Sequence, residues 1–278
     1  MVLINRSITS NSVDELPEVA YAIRNIKSSY GDTVSVDVKN KSLFKYGWNE
    51  SVGNTAQTTL MEFAGAETSE TLLTDNLIDS LITDDATFTG NVYVEGHTIS
   101  GSSLTFVSQT IAATGHTPAA LSTPLARATR AYNASGTSLA TGKKVYIYDN
   151  TGVTPADGVP DITAQVHLLF TAADNQSQKA ATAISSTDYW IITEWGASIN
   201  KKTSASADIR LQIREPGGVF RSKFPPMSIS TSGKSDFAIE VKPYLIVPKN
   251  SDIRATAIAS TTGVSVSAWF GGYLAKVV

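Results

Sequence analysis

The sequence contains no cysteine among its 278 residues. A chain without cysteine cannot form a disulfide, a thiolate zinc site or a cysteine nucleophile. Its stability must therefore come from burial of apolar side chains, from strand pairing and from assembly with other chains. Because no thiol needs protection, the composition is compatible with any redox environment.

Charge is scarce as well. Charged residues make up 17% of the chain, against about 25% in typical soluble domains, and the net charge is −3. No run of Lys and Arg is long enough to form a phosphate-binding stripe, so we expect no direct contact with nucleic acid. No stretch approaches about 18 consecutive apolar residues, and we expect no membrane span. The first residues lack the pattern of a signal peptide, which predicts synthesis in a cytoplasm.

The residue groups that carry catalysis are missing too. The sequence has no G-x-S-x-G segment and no Gly-rich phosphate loop. Its three histidines stand in two predicted strands and a turn: His97, His116 and His167. Nucleophilic catalysis needs a Ser or Cys beside a His that a third group orients. We therefore expect no enzymatic activity, no catalytic residues and no cofactor; a hydrolase on a β scaffold is the least favoured alternative.

One loop offers candidate metal ligands. The segment DNTGVTPADGVPD (residues 149–161) contains Asp149, Asp157 and Asp161. Their spacing differs from an EF-hand, in which ligands fall at alternate positions and a Glu follows at a distance. Solvated turn residues are the preferred interpretation, so we expect no metal site; calcium binding by this loop is the alternative.

The pattern of apolar residues predicts a mainly β protein. From residue 87 onward, apolar and polar residues alternate over short segments that turn residues separate. Turn signals every 8–14 residues or so, without helices between them, are typical of a β-sandwich or jelly roll. We expect an antiparallel β-sandwich over residues 137–278, preceded by a smaller β-rich domain over residues 32–136. Residues 70–84 fit either a helix or a pair of strands.

The first 31 residues have a different pattern. Leu16, Val19, Ile23 and Ile26 recur at three- and four-residue spacing, which predicts one apolar face of a short helix. Ser12 with Glu15 resembles a capping box, and Gly31 fits the stop of the helix. We interpret residues 1–31 as an arm with a short helix. Its apolar face lies on its own domain or docks on a neighbouring subunit.

The large aromatic residues suggest two uses. Phe44, Tyr46 and Trp48 lie in a segment with the character of a loop, where they either anchor an interface or cap the core of their own domain. The four tryptophans form either a sugar-stacking surface or part of the core. Trp190 and Trp195 are five residues apart, which on one regular strand gives them opposite faces, so at least one of them is expected in the core.

Three stretches resemble structural proteins of tailed-bacteriophage particles. LFKYGWN (residues 43–49) is similar to a KFG-x-N segment near the start of many such proteins, although the Trp-Gly-Gly segment that often follows is missing. VEGHTI through LARATR (residues 94–130) resembles their hairpin-and-strand module. WGASINK through VFRSK (residues 195–223) and PKNSDI (residues 248–253) are similar to their C-terminal sandwich.

The resemblance covers residues 41–278 and implies a function. It implies a non-enzymatic virion component, present in several copies, that binds other virion proteins as a capsid accessory, a neck or portal-vertex component, or a tail component. The candidate residues of the subunit interface are Leu16, Val19, Ile23, Phe44, Tyr46 and Trp48. The alternative is a carbohydrate-binding or host-attachment module, for which a glycan of the host surface is the partner.

Overall fold

A computed structural model describes residues 23–27, 33–62, 72–200 and 204–277. Within these ranges the chain forms 18 strands and one short 3-10 helix, Thr163–Gln165. The strands pair antiparallel throughout these ranges, which confirms the mainly β prediction. No helix within the described residues has the length and apolar character needed to cross a membrane.

Two sheets built from both ends of the described chain form the larger sandwich. The five-stranded sheet has the order β1 (Ile23–Lys27), β2 (Thr33–Val52), β18 (Val264–Val277), β12 (Tyr189–Asn200) and β16 (Asp236–Val247). The second sheet has the order β11 (Ala181–Ala183), β17 (Asp252–Ala259), β13 (Ser206–Arg214) and β14 (Arg221–Ser222), with β15 (Met227–Ser230) on β13 and β3 (Thr58–Thr59) on β17.

One apolar core joins these two sheets. It includes Trp190, Trp195 and Phe270 from the five-stranded sheet and Ile209 and Leu211 from the second sheet. Burial of such large side chains away from water supplies most of the stabilisation of the sandwich. We call this unit the main sandwich.

A smaller sandwich is inserted in the sequence between β3 and β11. Its four-stranded sheet has the order β10 (Val166–Thr171), β9 (Lys144–Asp149), β4 (Ile78–Thr83) and β7 (Ala119–Leu125). Its three-stranded sheet has the order β6 (Ser103–Ala112), β5 (Asn91–Ser100) and β8 (Arg127–Asn133). Ile78, Phe88, Val94, Ile147 and Phe170 belong to the shared core of these sheets. We call this unit the inserted sandwich.

The strand pairing does not follow the predicted division at residue 136. That position lies within the inserted sandwich, between β8 and β9, and β9 pairs with β4 across it. Strands β2 and β3, from the predicted N-terminal domain, pair with β18 and β17 near the C-terminus. Antiparallel sandwiches pair strands that are far apart in sequence, and a loop composition alone does not reveal which strands become neighbours.

The N-terminal prediction is corrected where the structure describes it. Ile23 and Ile26, which the sequence pattern assigned to a helix, lie in β1 and pair with Asp37 and Val34 of β2. A β-branched segment beside the alternating valines of β2 gains backbone hydrogen bonds by extending that sheet, which local helical spacing does not reveal. Residues 1–22, with Leu16 and Val19, lie outside the described residues.

A bulge in β12 changes the predicted orientation of two tryptophans. The register of β12 shifts between Ile192 and Glu194 against both neighbouring strands. A bulge inserts one extra residue and so resets the alternation of side chains. As a result, Trp190 and Trp195 both point into the core and are fully buried. The core role of at least one of them is confirmed, and the assignment to opposite faces is wrong.

Candidate functional site

Alternate residues of β2 form an aromatic row on the outside of the main sandwich. Lys45 pairs in register with Phe270, which belongs to the core, so residues 43, 45, 47 and 49 face inward. Phe44, Tyr46 and Trp48 therefore face outward, because neighbouring residues of a strand point to opposite sides. The loop expected at this position is a strand, and none of the three aromatic residues belongs to a buried core cluster.

The neighbouring strand β18 extends this row. Trp269 pairs with Tyr46, and Tyr273 pairs with Ser42. The side chains of Trp269 and Tyr273 therefore lie on the same outer surface as Tyr46. Directly opposed residues of an antiparallel pair share a face and contact each other. We call the surface formed by Phe44, Tyr46, Trp48, Trp269 and Tyr273 the aromatic face.

Two glycines let aromatic rings lie close to the sheet. A Cβ atom on Gly196 of β12 would collide with the ring of Trp269, and one on Gly271 would press on the ring of Phe44. Glycine permits such a close approach because it has no side chain. The rings therefore pack against backbone and form a low, broad surface.

The aromatic face is partly open to solvent. Phe44 is 52% exposed and Tyr273 is 39% exposed, whereas Tyr46 and Trp48 are half-buried. The Tyr46 hydroxyl accepts a hydrogen bond from Gln176 Nε2 at 2.7 Å. The outer surface of a sandwich is ordinarily polar, so grouped aromatic side chains there indicate a binding surface.

A cleft of about 540 Å³ opens where the inserted sandwich meets the main sandwich. Phe44, Lys45 and Tyr46 contribute from the main sandwich, and His97 and Phe106 contribute from the inserted sandwich. Within the described residues, β1 pairs with residues 33–37 of β2, whereas residues 43–46 of the same strand border the cleft. The cleft and the aromatic face therefore share Phe44 and Tyr46.

Two buried lysines hold the inserted sandwich at the base of the cleft. Lys45 Nζ donates to the carbonyl of Thr129 at 3.2 Å, and Lys179 Nζ donates to the adjacent carbonyl of Ala128 at 3.2 Å. Both carbonyls belong to β8. Buried ammonium groups persist only with such hydrogen-bond acceptors, so these contacts fix β8 against the main sandwich.

His97 lies in the wall of the cleft and is 4% exposed. Burial, followed by the positive charge of Lys45, lowers the pKa of His97 to about 4, so the ring is neutral near neutral pH. Its Nδ1 has no hydrogen-bond partner among the residues that the structure describes, and its ring makes an edge contact with Phe106 at 5.6 Å between centroids. A neutral imidazole here can donate or accept a hydrogen bond without carrying charge.

Some of the predicted interface residues share one sheet. Phe44, Tyr46 and Trp48 lie on the aromatic face, and Ile23 lies in β1 at the edge of the same sheet. The sequence analysis considered Trp269 only as one of the four tryptophans and missed Tyr273, although the alternation of both in the last strand was a visible signal. It also gave no reason to bring His97 and Phe106 to the same cleft as Phe44.

The candidate metal loop has turn contacts instead. Asp149 Oδ1 accepts from the backbone of Thr151, and Asp161 Oδ1 accepts from the backbone of Thr154. Within the described ranges, no group of three or more His, Asp or Glu side chains is arranged to hold a metal ion. The contacts of Asp149 and Asp161 are those of turn residues.

Comparisons with known proteins add little. No protein-family model matches the chain. No curated protein matches it either. Among solved structures, the chain is similar to "Structure of infectious bursal disease virus Gt strain" at 10% identity and a TM-score of 0.19, covering 91% of this chain and 80% of that chain.

Two other solved structures give similar values. The VP2 subviral particle of infectious bursal disease virus matches at 9% identity and a TM-score of 0.20, covering 91% of this chain and 84% of that chain. Infectious bursal virus derived T=1 particles match at 11% identity and a TM-score of 0.20, covering 90% of this chain and 78% of that chain. TM-scores this low do not establish a common fold.

Proposed function

We propose that the protein is a non-enzymatic structural component of a virus particle, of the tailed-bacteriophage type, that binds other virion subunits. The observation that carries the proposal is the aromatic face, which groups five large rings on the outside of a sandwich. The resemblance of residues 41–278 to virion structural proteins supports the same assignment. In this role the protein acts in the virion, in several copies, as a capsid accessory, neck or tail component.

The chemistry of the aromatic face suits a protein partner. Aromatic residues are enriched in the buried centres of protein interfaces, where a few of them supply most of the binding energy. Phe44 and Tyr273 lose exposed apolar area when a partner covers them. Glu194 and Glu240 pair directly with each other on the adjacent strands β12 and β16 and are exposed, which provides a polar border.

Introducing a charge into the aromatic face tests this function. Tyr273→Asp leaves the core intact, because the side chain is exposed, but places an unpaired carboxylate in the proposed interface. We expect the variant to fold normally and to be lost from purified particles. Val219→Asp is the matched control, because Val219 is 68% exposed in the loop between β13 and β14, away from this face.

Two results would contradict the proposal. Incorporation of the Tyr273→Asp protein at wild-type level would show that the aromatic face does not bind the particle. Absence of the wild-type protein from purified virions would remove the virion role altogether. Loss of both variants would mean that any added charge prevents assembly, and the aromatic face would have no special role.

A second candidate function is carbohydrate binding, which can be combined with host attachment by the particle itself. The specific observation in its favour is the position of Phe44 over Gly271 and of Trp269 over Gly196. Rings that lie low on a sheet present their faces, and aromatic faces suit the apolar side of a sugar ring. A glycan array with Trp269→Ala tests it: binding that is lost supports this function, and an array without any binding ends it.

A further inference from the structure

Strand β6 forms one edge of the inserted sandwich. Its sheet has the order β6, β5 and β8, so within the described residues β6 has a paired strand on one side alone. The pairing with β5 begins with Ser103 opposite Ser100 and continues without a shift to Ala112 opposite Asn91. In such a ladder, the backbone groups of alternate residues point to the paired strand, and those of the residues between them point away.

Leu104 shows which backbone groups of β6 point to the open side. Its N–H donates to Asn250 Oδ1 at 2.8 Å, and its carbonyl accepts from the Ser186 N–H at 2.7 Å. Because the direction alternates along a strand, the backbone groups of Ser108 and Thr110 point away from β5 as well. In the part of the chain that the structure describes, these groups of Ser108 and Thr110 have no hydrogen-bond partner.

Strand β7 lies near β6 without extending its ladder. The Gln109 side chain donates to the Thr123 carbonyl at 2.8 Å and accepts from the Thr123 N–H at 2.9 Å. A side chain therefore satisfies the backbone of β7 at this point, and the backbone of β6 does not. The side chains of Ser108, Thr110 and Ala112 are exposed, so the described residues leave this edge accessible.

The composition of β6 distinguishes it from other edge strands. Its ten residues, SLTFVSQTIA, include no charge and no proline, and several of them favour extended structure. Natural edge strands are usually protected from further pairing by charges, by proline, by a bulge or by short length. The edge strand β16 carries Glu240 and Lys242, and the edge strand β14 has two residues. β6 lacks these protections and is suited to pair with another strand.

We propose that β6 pairs antiparallel with β6 of a second copy of this chain, around a two-fold axis at Gln109. An uncharged strand can meet its own copy without bringing like charges together. The axis places Ser108 opposite the partner's Thr110, and Thr110 opposite the partner's Ser108. The unpartnered backbone groups of both residues then satisfy each other, and opposed Ser and Thr side chains can share a hydrogen bond.

The contacts of Leu104 select this register. With the axis at Gln109, the partner's strand ends with Ala112 opposite Phe106, before it reaches Leu104. An axis at Ser108 would place the partner's Ala112 opposite Leu104, whose backbone groups already have partners. The inference goes beyond the proposed function, because it concerns contact between two copies through the inserted sandwich and requires no virion.

Analytical ultracentrifugation of the full chain, over about a hundredfold range of concentration, tests the inference. We expect the wild type to become a dimer as its concentration rises and Ser108→Pro to remain a monomer. Proline removes the N–H that points to the open side and leaves the ladder with β5 in place. Ser108→Ala is the matched control, which keeps this N–H and should still form the dimer. A wild type that stays monomeric, or a Ser108→Pro protein that dimerises like the wild type, would overturn the proposal.

Engineered cysteines test the register, and they do so even if proline disturbs folding. The chain contains no cysteine, so no natural thiol interferes. Directly opposed residues have Cα atoms about 5.5 Å apart, which a disulfide can bridge, whereas diagonal neighbours lie about 7–8 Å apart. We expect a mixture of the Ser108→Cys and Thr110→Cys proteins to form a cross-linked dimer on mild oxidation, and this product to be lost when either variant is oxidised alone. Equal cross-linking in all three samples, or in none, would overturn the proposed pairing.

The variant Tyr273→Asp separates this contact from the aromatic face. Tyr273 lies in β18 of the main sandwich, so this variant should dimerise like the wild type. A dimer that Tyr273→Asp abolishes and Ser108→Pro leaves intact would assign self-association to the aromatic face and overturn the edge proposal. A dimer that Ser108→Pro abolishes supports the edge proposal, even where the wild-type protein is absent from virions.

Discussion

Arg127 Nε donates a hydrogen bond to Asp252 Oδ1 at 2.8 Å, with both side chains almost completely buried. Arg127 begins β8 of the inserted sandwich, and Asp252 begins β17 of the main sandwich. Arg214 Nη2 donates to the other carboxylate oxygen at 2.6 Å. One carboxylate therefore receives two guanidinium groups and ties the two sandwiches together beside the cleft.

Removing the charge of Asp252 should strongly destabilise the protein. Asp252→Asn leaves the buried Arg127 without its counter-charge, and breaking a buried pair in this way costs about 3–5 kcal/mol. Urea denaturation measures the loss of unfolding free energy. Glu240→Gln is the control, because its ion pair with Lys242 is exposed and should contribute nothing measurable. Similar stability of Asp252→Asn and the wild type would contradict a structural role for this pair.

The buried histidines predict a loss of stability in mild acid. Burial, followed by a nearby lysine in each case, lowers the pKa of His97 and of His167 from 6.5 to about 4. Arg127 lowers both pKa values further, whereas Asp252 and Asp188 beside His97 and Asp149 beside His167 act against the shift. Below pH 6.5, the ordinary pKa of histidine, the unfolded chain binds protons that the folded protein does not. The stability that each buried histidine contributes is therefore complete above this pH and falls as the pH falls towards 4.

The expected loss is about 2 kcal/mol per histidine between about pH 7 and about pH 5. Denaturant titrations at several pH values measure it, in a range where most carboxylates stay charged. His97→Gln and His167→Gln should each reduce the slope of stability against pH. An unchanged slope in both variants would show that these groups do not titrate as their burial requires.

The glycine beneath Trp269 makes a specific prediction. Gly196→Ala places a methyl group against the Trp269 ring and the backbone carbonyl of Phe237, so either the ring or the strand must move. Such overpacking costs about 1–3 kcal/mol. Gly53→Ala is the control, because a Cβ there meets no atom of the described residues within 4 Å. The unfolding temperature and the tryptophan fluorescence should change in Gly196→Ala and stay as in the wild type in Gly53→Ala. Equal behaviour of the two variants would contradict the close packing of Trp269 on Gly196.

The sequence revealed the class of fold because alternation is local. Val34, Val36 and Val38 alternate within β2, and the strands after residue 87 show the same period over short segments. Pairing is not local: β2 lies beside β18, more than 200 residues later, so Tyr46 and Trp269 become neighbours only through the register of the folded sheet. Pattern analysis within one segment cannot supply that register.

The candidate site was predictable to the same extent. Phe44, Tyr46 and Trp48 were recognisable because they are large aromatic residues near one another in sequence. The cleft was not, because it arises where the inserted sandwich meets the main sandwich, and the predicted division at residue 136 hid that arrangement. The bulge in β12, which turns Trp190 and Trp195 to the same side, has no clear signal in the residues around it.

A cryo-electron microscopy reconstruction of purified particles tests the central claim most directly. The claim is that the aromatic face is the surface through which the protein joins an assembly. We predict density of another subunit against Phe44, Trp269 and Tyr273, with these side chains covered. Particles that contain the protein with this face open to solvent, or particles without the protein, would contradict the claim.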